Sequence, residues 1–193
     1  RDHGEIAVLS SCTSLVTWMS DSDSEDHEED ERISTLVTYM GKHSAEETAS
    51  HLKGELGGKD GMVYGAMCFS EHMAMSHFLV TACFDEDSTL TSQIDENKEL
   101  LAACCKDDEE FQRGFLLAME LYIVRELRKG IAKYDKVLKK LWECDVVSED
   151  LVEQWHGKEN ALHEFYPEFV LDDAIAIRES AAKFLEWVQE GDE

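Results

Sequence analysis

Residues that break helices are scarce in this chain, and this constrains its fold more than any other sequence feature. The 193 residues include a single proline, Pro167, and 11 glycines. Proline disrupts helix interiors because it lacks a backbone donor, so most of this sequence is free to be helical. Apolar residues also recur at helical spacing. We therefore predict an all-α fold, with short breaks of the kind that a stack of antiparallel helix pairs requires.

Several helix boundaries follow from local patterns. Ser44 and Glu47 form an S-x-x-E capping box, which predicts a helix that ends near Gly57. We predict further helices over residues 32–42, 62–84, about 91–105 and 129 to about 143. Residues 107–110 precede a helix that is apolar nearly all round and is therefore expected to be buried. Ser148 is expected to cap a following helix, and the last helix is expected from near residue 172.

The acidic segment 21–31 differs from the rest of the chain. Eight of its eleven residues are acidic and none is apolar, so we predict a disordered, self-repelling linker. This divides the chain into an N-terminal segment of uncertain structure (1–20), the linker (21–31) and a helical domain (32–193). Because the sequence begins at Arg1 instead of methionine, we expect it to be part of a longer protein.

Charge and cysteine content narrow the function classes. With 43 acidic and 18 basic side chains the net charge is -25, so most of the surface repels a phosphate backbone and the expected ligand is basic. No apolar run is long enough to span a membrane. The six cysteines lack CxxC spacing, which favours reduced core thiols in a cytoplasmic protein. Cys68 and His72 stand four residues apart, but no second pair accompanies them, so we predict no metal and no cofactor.

Large aromatic residues stand within runs of acid in the last third of the chain. A tryptophan among carboxylates is a flat apolar anchor in a negative field, which suits a lysine-rich partner segment. The pattern predicts a protein-binding surface. Its candidate residues are Trp142, Glu143, Asp145, Glu149, Asp150, Glu153, Trp155, Phe184, Glu186, Trp187 and Glu190. Core spacing favours burial of Trp155, whereas charged neighbours favour partial exposure of Trp187.

Positive charge is concentrated between residues 125 and 140. Four of the lysines there recur at i, i+4, i+7 and i+11, which on one continuous helix gives a single outer face. This basic strip is a candidate second surface, for an acidic partner or RNA. An ordinary solvated helix face explains the same spacing, and the sequence leaves both interpretations open. The strip comprises Arg125, Lys129, Lys133, Lys136 and Lys140.

Two segments carry a resemblance to a known family. Residues 111–158, FQRGFLLAMELYIVRELRKGIAKYDKVLKKLWECDVVSEDLVEQWHGK, and the terminal AAKFLEWVQEGDE resemble the C-terminal domain of eukaryotic translation initiation factor five. The resemblance places two aromatic-acidic boxes in these segments, at residues 141–155 and 184–193. The same pair of boxes occurs in the epsilon subunit of initiation factor two B, in the C-terminal part of initiation factor four G and in regulatory mimics of factor five. The resemblance covers residues 32–193 in outline and is sharp from about residue 111. Residues 156–173 depart from the family's spacer.

The resemblance implies an atypical HEAT-type stack of helices that serves as an assembly hub. It implies that the two boxes bind the lysine-rich tail of the initiation factor two beta subunit. It further implies that the basic strip contacts other factors, and initiation factors one and three are the implied partners. We expect a monomer that does not associate with membranes.

No catalytic motif is readable in the sequence. It lacks a Gly-rich phosphate loop, a G-x-S-x-G elbow and a Ser/His/Asp pattern. The GTPase-stimulating activity of the resembled factor belongs to an N-terminal domain with a zinc site, which is not found here, so we predict a domain that is not an enzyme. Two alternatives remain open. One is a guanine-nucleotide exchange domain like that of the two B epsilon subunit, and the other is a mimic that competes for the same tail.

Overall fold

The computed structural model describes residues 22–56, 62–64, 67–69, 71–158 and 168–191. Its helices are α1 (Ser22–Met40), α2 (Ala45–His51), α3 (Glu71–Cys83), α4 (Leu90–Cys105), α5 (Glu109–Arg125), α6 (Tyr134–Glu143), α7 (Glu149–His156) and α8 (Glu168–Gly191). A π-helical turn (Leu52–Leu56) extends α2, and a 3-10 helix (Arg128–Lys133) precedes α6. Two three-residue strands, β1 (Met62–Tyr64) and β2 (Met67–Phe69), form an antiparallel hairpin with Met62 opposite Phe69.

The described helices pack in two layers. The odd-numbered helices lie side by side in the order α1, α3, α5 and α7, and the even-numbered ones in the order α2, α4, α6 and α8. Helix α8 also contacts α5 and α7, which closes the two layers at one end. The predicted all-α fold is therefore confirmed, with the hairpin as a small addition. The more specific HEAT-type classification stays a prediction.

Helices α3 and α5 form the most extensive contact between elements and lie at the centre of the core. Gly114 allows their close approach, since a Cβ atom at this position would lie 2.9 Å from the backbone oxygen of His72. Phe111, Phe115 and Ala118 are fully buried on α5, and so are residues on its opposite side. The prediction that this helix is apolar and buried nearly all round is thus confirmed.

Other local predictions are also confirmed. The Ser44 hydroxyl oxygen accepts a hydrogen bond from the Glu47 N–H, and the Glu47 carboxylate accepts one from the Ser44 N–H, as a capping box requires. Helix α4 begins one residue before the predicted position and ends at the predicted Cys105. On α8 the predicted apolar stripe is buried, and it consists of Ile177, Ala181, Phe184 and Val188.

Three predictions were wrong about where helices begin. Residues 22–31, predicted as a disordered linker, belong to α1, in keeping with the high helix propensity of glutamate and the dipole that favours acids near a helix N-terminus. Residues 62–64 and 67–69, predicted as part of a long helix, form the two paired strands of the hairpin instead. The last helix begins at Glu168, about one turn before the predicted start near residue 172. The division of the chain into three segments stays a prediction.

Ser148 occupies the N-cap position of α7, but its side chain makes no capping hydrogen bond. Its backbone N–H instead donates to the Gln112 side-chain oxygen, 3.1 Å away on α5. The predicted cap by the Ser148 hydroxyl was therefore wrong, although the helix it precedes is present. The contact fixes the turn between α6 and α7 on the surface of α5.

Asp108 joins the π-helical turn after α2 to the beginning of α5. One of its carboxylate oxygens accepts a hydrogen bond from the Phe111 N–H at 3.0 Å, and the other accepts one from Lys53 Nζ at 2.7 Å. The Lys53 ammonium also lies 4.6 Å from the centroid of the Phe111 ring. Burial raises the pKa of Asp108, but the hydrogen bonds from Lys53 and Phe111 outweigh that effect and hold the pKa below its ordinary value.

We expect Asp108→Ala to lower the free energy of unfolding by about 1–2 kcal/mol at neutral pH, because it removes both the helix cap and the Lys53 partner. Asp108→Asn keeps the cap and should lose less. A carboxyl group with a lowered pKa stabilises the folded state above its unfolded pKa of about 3.9, and this contribution disappears as the pH falls through the folded-state pKa. Urea unfolding from pH 7 to pH 3 measures this: the difference between wild type and Asp108→Asn should shrink towards pH 3. Equal stability of wild type and Asp108→Ala at pH 7 would contradict the assignment.

Candidate partner-binding surface

The two aromatic-acidic boxes meet where α6 packs against α8. Trp142 lies next to the end of α6 and Trp187 near the end of α8, and their ring centroids are 5.6 Å apart with the planes at 82°. Both rings reach the surface, since Trp142 is 37% and Trp187 40% exposed. The predicted partial exposure of Trp187 is thus confirmed. The structure brings together two tryptophans that are far apart in sequence.

Exposed carboxylates accompany the tryptophan pair. Glu143 and Asp145 follow Trp142 at the end of α6, and Glu186 and Glu190 are neighbours of Trp187 on α8. We call these four acids, together with Trp142 and Trp187, the acidic–aromatic face. All four acids are exposed, so their charges are available to a partner in solution.

A cleft of about 560 Å³ extends this face towards α7. Asp145 stands at the turn there with a φ of 55°, in the left-handed region, and its backbone N–H donates to the Trp142 carbonyl oxygen at 3.0 Å. Glu149, which is half-buried, adds a third carboxylate to the cleft, beside those of Glu143 and Asp145. Asp150 and Glu153 are exposed further along α7. The cleft is lined by Gln112, Trp142, Glu143, Asp145, Val147, Ser148 and Glu149.

Trp155 and Phe184, both predicted to bind a partner, are buried. Trp155 is 5% exposed, which confirms the expectation from its core spacing and removes it from the surface. Phe184 packs beneath Trp187, with ring centroids 6.2 Å apart. The inclusion of these two residues among the partner contacts was therefore wrong: the apolar spacing on their helices turns them inward.

A buried charged network holds Trp155 in place, and sequence analysis did not find it. Glu120 on α5 is 0% exposed and Arg178 on α8 is 2% exposed. The Arg178 Nε–H and Nη2–H groups donate to the two Glu120 oxygens at 2.9 and 2.8 Å, and the Trp155 Nε1–H donates to Glu120 Oε2 at 2.8 Å. Arg178 also donates to the Trp155 carbonyl oxygen and stacks 3.9 Å from the Trp155 ring centroid. Burial raises the pKa of Glu120, while Arg178 and Trp155 oppose that rise.

The basic strip does not lie on one continuous helix. Arg125 ends α5, Lys129 and Lys133 belong to the 3-10 helix, and only Lys136 and Lys140 lie on α6. A 3-10 helix has three residues per turn, whereas the predicted single face assumed the α-helical 3.6. The prediction that the four lysines line one face of one helix is therefore wrong for Lys129 and Lys133. Lys140 Nζ is also engaged by Asp95, 2.7 Å away on α4. The exposed members of the strip are Lys129, Lys133 and Lys136.

The structure shows which of the described cysteines are buried, and it places Cys68 and His72, the pair considered as metal ligands. Cys83, Cys104 and Cys105 are free and buried, and burial raises the pKa of the Cys104 thiol to about 12, which keeps it protonated. Cys12 lies outside the described residues. Cys68 lies in β2 and His72 in α3, so the two do not share a helix. Within the described ranges, no group of three or more His, Cys, Asp or Glu side chains is arranged to hold a metal ion, and none of the helices there is both long and apolar enough to cross a membrane.

The fold and the face together define an all-α domain with an exposed pair of tryptophans amid carboxylates. Residues 111–193 match the family W2, described as eIF4-gamma/eIF5/eIF2-epsilon. The chain is 26% identical over 165 residues to eukaryotic translation initiation factor 5 of Caenorhabditis elegans. That alignment covers 86% of this chain but only 36% of the relative, so the chain spans little more than a third of that protein.

A solved structure has a similar fold. It is described as the C-terminal domain of translation initiation factor 5 at low pH, and it superposes with a TM-score of 0.58 at 22% identity, covering 86% of this chain and 92% of the other. These findings confirm the resemblance to the C-terminal domain of initiation factor five and support a translation initiation factor domain. The binding residues and the absence of enzymatic activity stay predictions.

Proposed function

We propose that this chain is an assembly domain of translation initiation whose acidic–aromatic face binds lysine-rich protein segments. The proposed partner is the lysine-rich tail of the initiation factor two beta subunit. The domain is proposed to act in the cytoplasm. The observation that carries the proposal is the contact between Trp142 and Trp187, because it joins two sequence boxes into one exposed surface. The similarity to factor five supplies the biological setting.

The physical basis of binding is the combination of negative charge with two aromatic anchors. The net charge of -25 attracts a basic segment from a distance and accelerates its encounter with the face. Each exposed ion pair contributes only about 0–1 kcal/mol, so affinity must come from several weak pairs acting with the tryptophans. Exposed charges are screened by salt, so the affinity should fall as the ionic strength rises.

The test is calorimetric titration of the domain with a lysine-rich peptide, at low and at moderate salt. We expect binding that weakens with salt and that falls by roughly tenfold to a hundredfold in the double variant Glu186→Lys, Glu190→Lys. The two reversals replace attraction by repulsion beside Trp187. Both residues are exposed, so the variant should retain the helical circular dichroism of the wild type.

The matched control is Glu96→Lys, Glu99→Lys, which makes the same change of net charge at two exposed residues of α4. If the face is the binding site, this control should lose much less affinity than the α8 variant. Equal losses in the two variants would mean that net charge alone attracts the peptide. Undiminished affinity in the α8 variant would overturn the site assignment.

The other roles that the resemblance implies are separable by experiment. The basic strip is proposed to contact other factors, initiation factors one and three among them, through Lys129, Lys133 and Lys136. A nucleotide-release assay on initiation factor two tests the alternative of an exchange domain, which would use the same acidic and aromatic residues. A mimic that competes for the tail would bind the same peptide, so the titration does not separate it from an assembly factor.

A further inference from the structure

A lysine of the chain itself lies over the ring of Trp187. The Lys139 ammonium on α6 lies 3.8 Å from the centroid of the Trp187 ring on α8. An ammonium group at this distance over an indole is a cation–π contact, held by the electron-rich face of the ring. The contact joins the two helices that supply the acidic–aromatic face.

Two other aromatic rings also contact Trp187. Trp142 meets Trp187 at 82°, edge to face, and Phe184 is tilted beside it at 37°. Indole is the best aromatic acceptor for a cation, so the ring is the natural contact for a lysine of an incoming segment. Lys139 offers the same chemical group to the same ring.

We propose that Lys139 is an autoinhibitory group, an internal substitute for the partner's lysine that must leave Trp187 before a basic segment can use that ring. This inference rests on the proposed function, since it concerns the regulation of the same face. A segment with a single lysine gains little by replacing one ammonium with another. A segment with several lysines also pairs with Glu143, Asp145, Glu186 and Glu190, and this additional attraction displaces Lys139. The resident lysine therefore selects clustered positive charge over single basic residues.

The test compares Lys139→Met with wild type by calorimetric titration with the same lysine-rich peptide at low salt. Methionine keeps the length and apolar character of the side chain but removes the charge. Without the competing Lys139 ammonium, the affinity for the peptide should rise roughly two- to fivefold, which is the strength of a cation–π contact at an exposed site. Lys139→Arg keeps a cation over the ring and should bind like wild type or more weakly.

Removing any lysine also makes the protein more negative, so a matched control is needed. Lys98→Met removes one charge from an exposed position on α4, the helix packed beside α6. Its affinity should rise by less than that of Lys139→Met. Equal gains in the two variants, or weaker binding by Lys139→Met, would overturn the inference and leave Lys139 as a structural clamp between α6 and α8.

The outcomes separate this inference from the proposed function. Binding by wild type that Glu186→Lys, Glu190→Lys reduces, without a gain in Lys139→Met, would refute only the autoinhibitory role. Binding by none of the proteins would refute the proposed function, and the inference with it. Circular dichroism and thermal unfolding of each variant establish that affinities are compared between folded proteins.

Discussion

Replacing Glu120 with alanine is expected to lower the free energy of unfolding by about 3–5 kcal/mol, because it leaves the Arg178 guanidinium buried without its carboxylate. Arg178 is 2% exposed and donates two hydrogen bonds to the Glu120 carboxylate. The Trp155 indole N–H would lose its acceptor as well. Denaturant unfolding followed by circular dichroism measures the loss.

A double variant distinguishes the pair interaction from simple loss of packing. Glu120→Leu with Arg178→Met replaces both charged groups by apolar side chains, and such replacements are often neutral or stabilising. We therefore expect the double variant to be more stable than Glu120→Ala or Arg178→Met alone. If the double variant were less stable than either, the network would act through packing volume and not through its charges.

The second large effect is expected at Gly114. A Cβ atom there would lie 2.9 Å from the His72 carbonyl oxygen, 3.0 Å from its carbon and 3.1 Å from the Met73 nitrogen, all of them backbone atoms. Backbone atoms cannot rotate away, so Gly114→Ala must separate α3 from α5 at the centre of the core. Alanine in place of glycine normally stabilises a helix. Here we expect the opposite, a loss of about 1–3 kcal/mol in the free energy of unfolding, because the core becomes overpacked.

Gly54→Ala is the matched control for this prediction. Gly54 lies in the π-helical turn, and nothing approaches within 4 Å of the position that its Cβ would occupy. Alanine there should leave stability unchanged or raise it by about 0.5–1 kcal/mol. The two substitutions therefore have opposite expected signs in the same unfolding experiment. A neutral Gly114→Ala would mean that α3 and α5 have room to separate.

Periodicity predicted the helices well where one face of a segment is apolar over several turns. It found the stripe of Ile177, Ala181, Phe184 and Val188, although it missed the first turn of α8. It failed where helix propensity and local turns compete, as in the 3-10 helix at residues 128–133. Gly130 lies there, and glycine weakens an α-helix by about 1 kcal/mol relative to alanine.

The chemistry of the candidate surface was predictable, but its geometry was not. Tryptophans amid acids indicated which segments form the candidate surface, and the charged neighbours of Trp187 indicated its exposure. The contact between Trp142 and Trp187 depends on how α6 and α8 pack, which no local pattern encodes. Glu120 escaped notice for the same reason, since its partner Arg178 is 58 positions away in sequence.

The split of the acidic–aromatic face between α6 and α8 ties recognition to the integrity of the fold. One indole comes from each helix, so a local opening that detaches α8 removes half of the surface while leaving α6 in place. A partner that contacts both rings would bind the docked state more tightly than an opened one, and it would stabilise that docked state by mass action. If the face binds as proposed, it therefore favours intact molecules over damaged or incompletely folded ones, without any separate sensor.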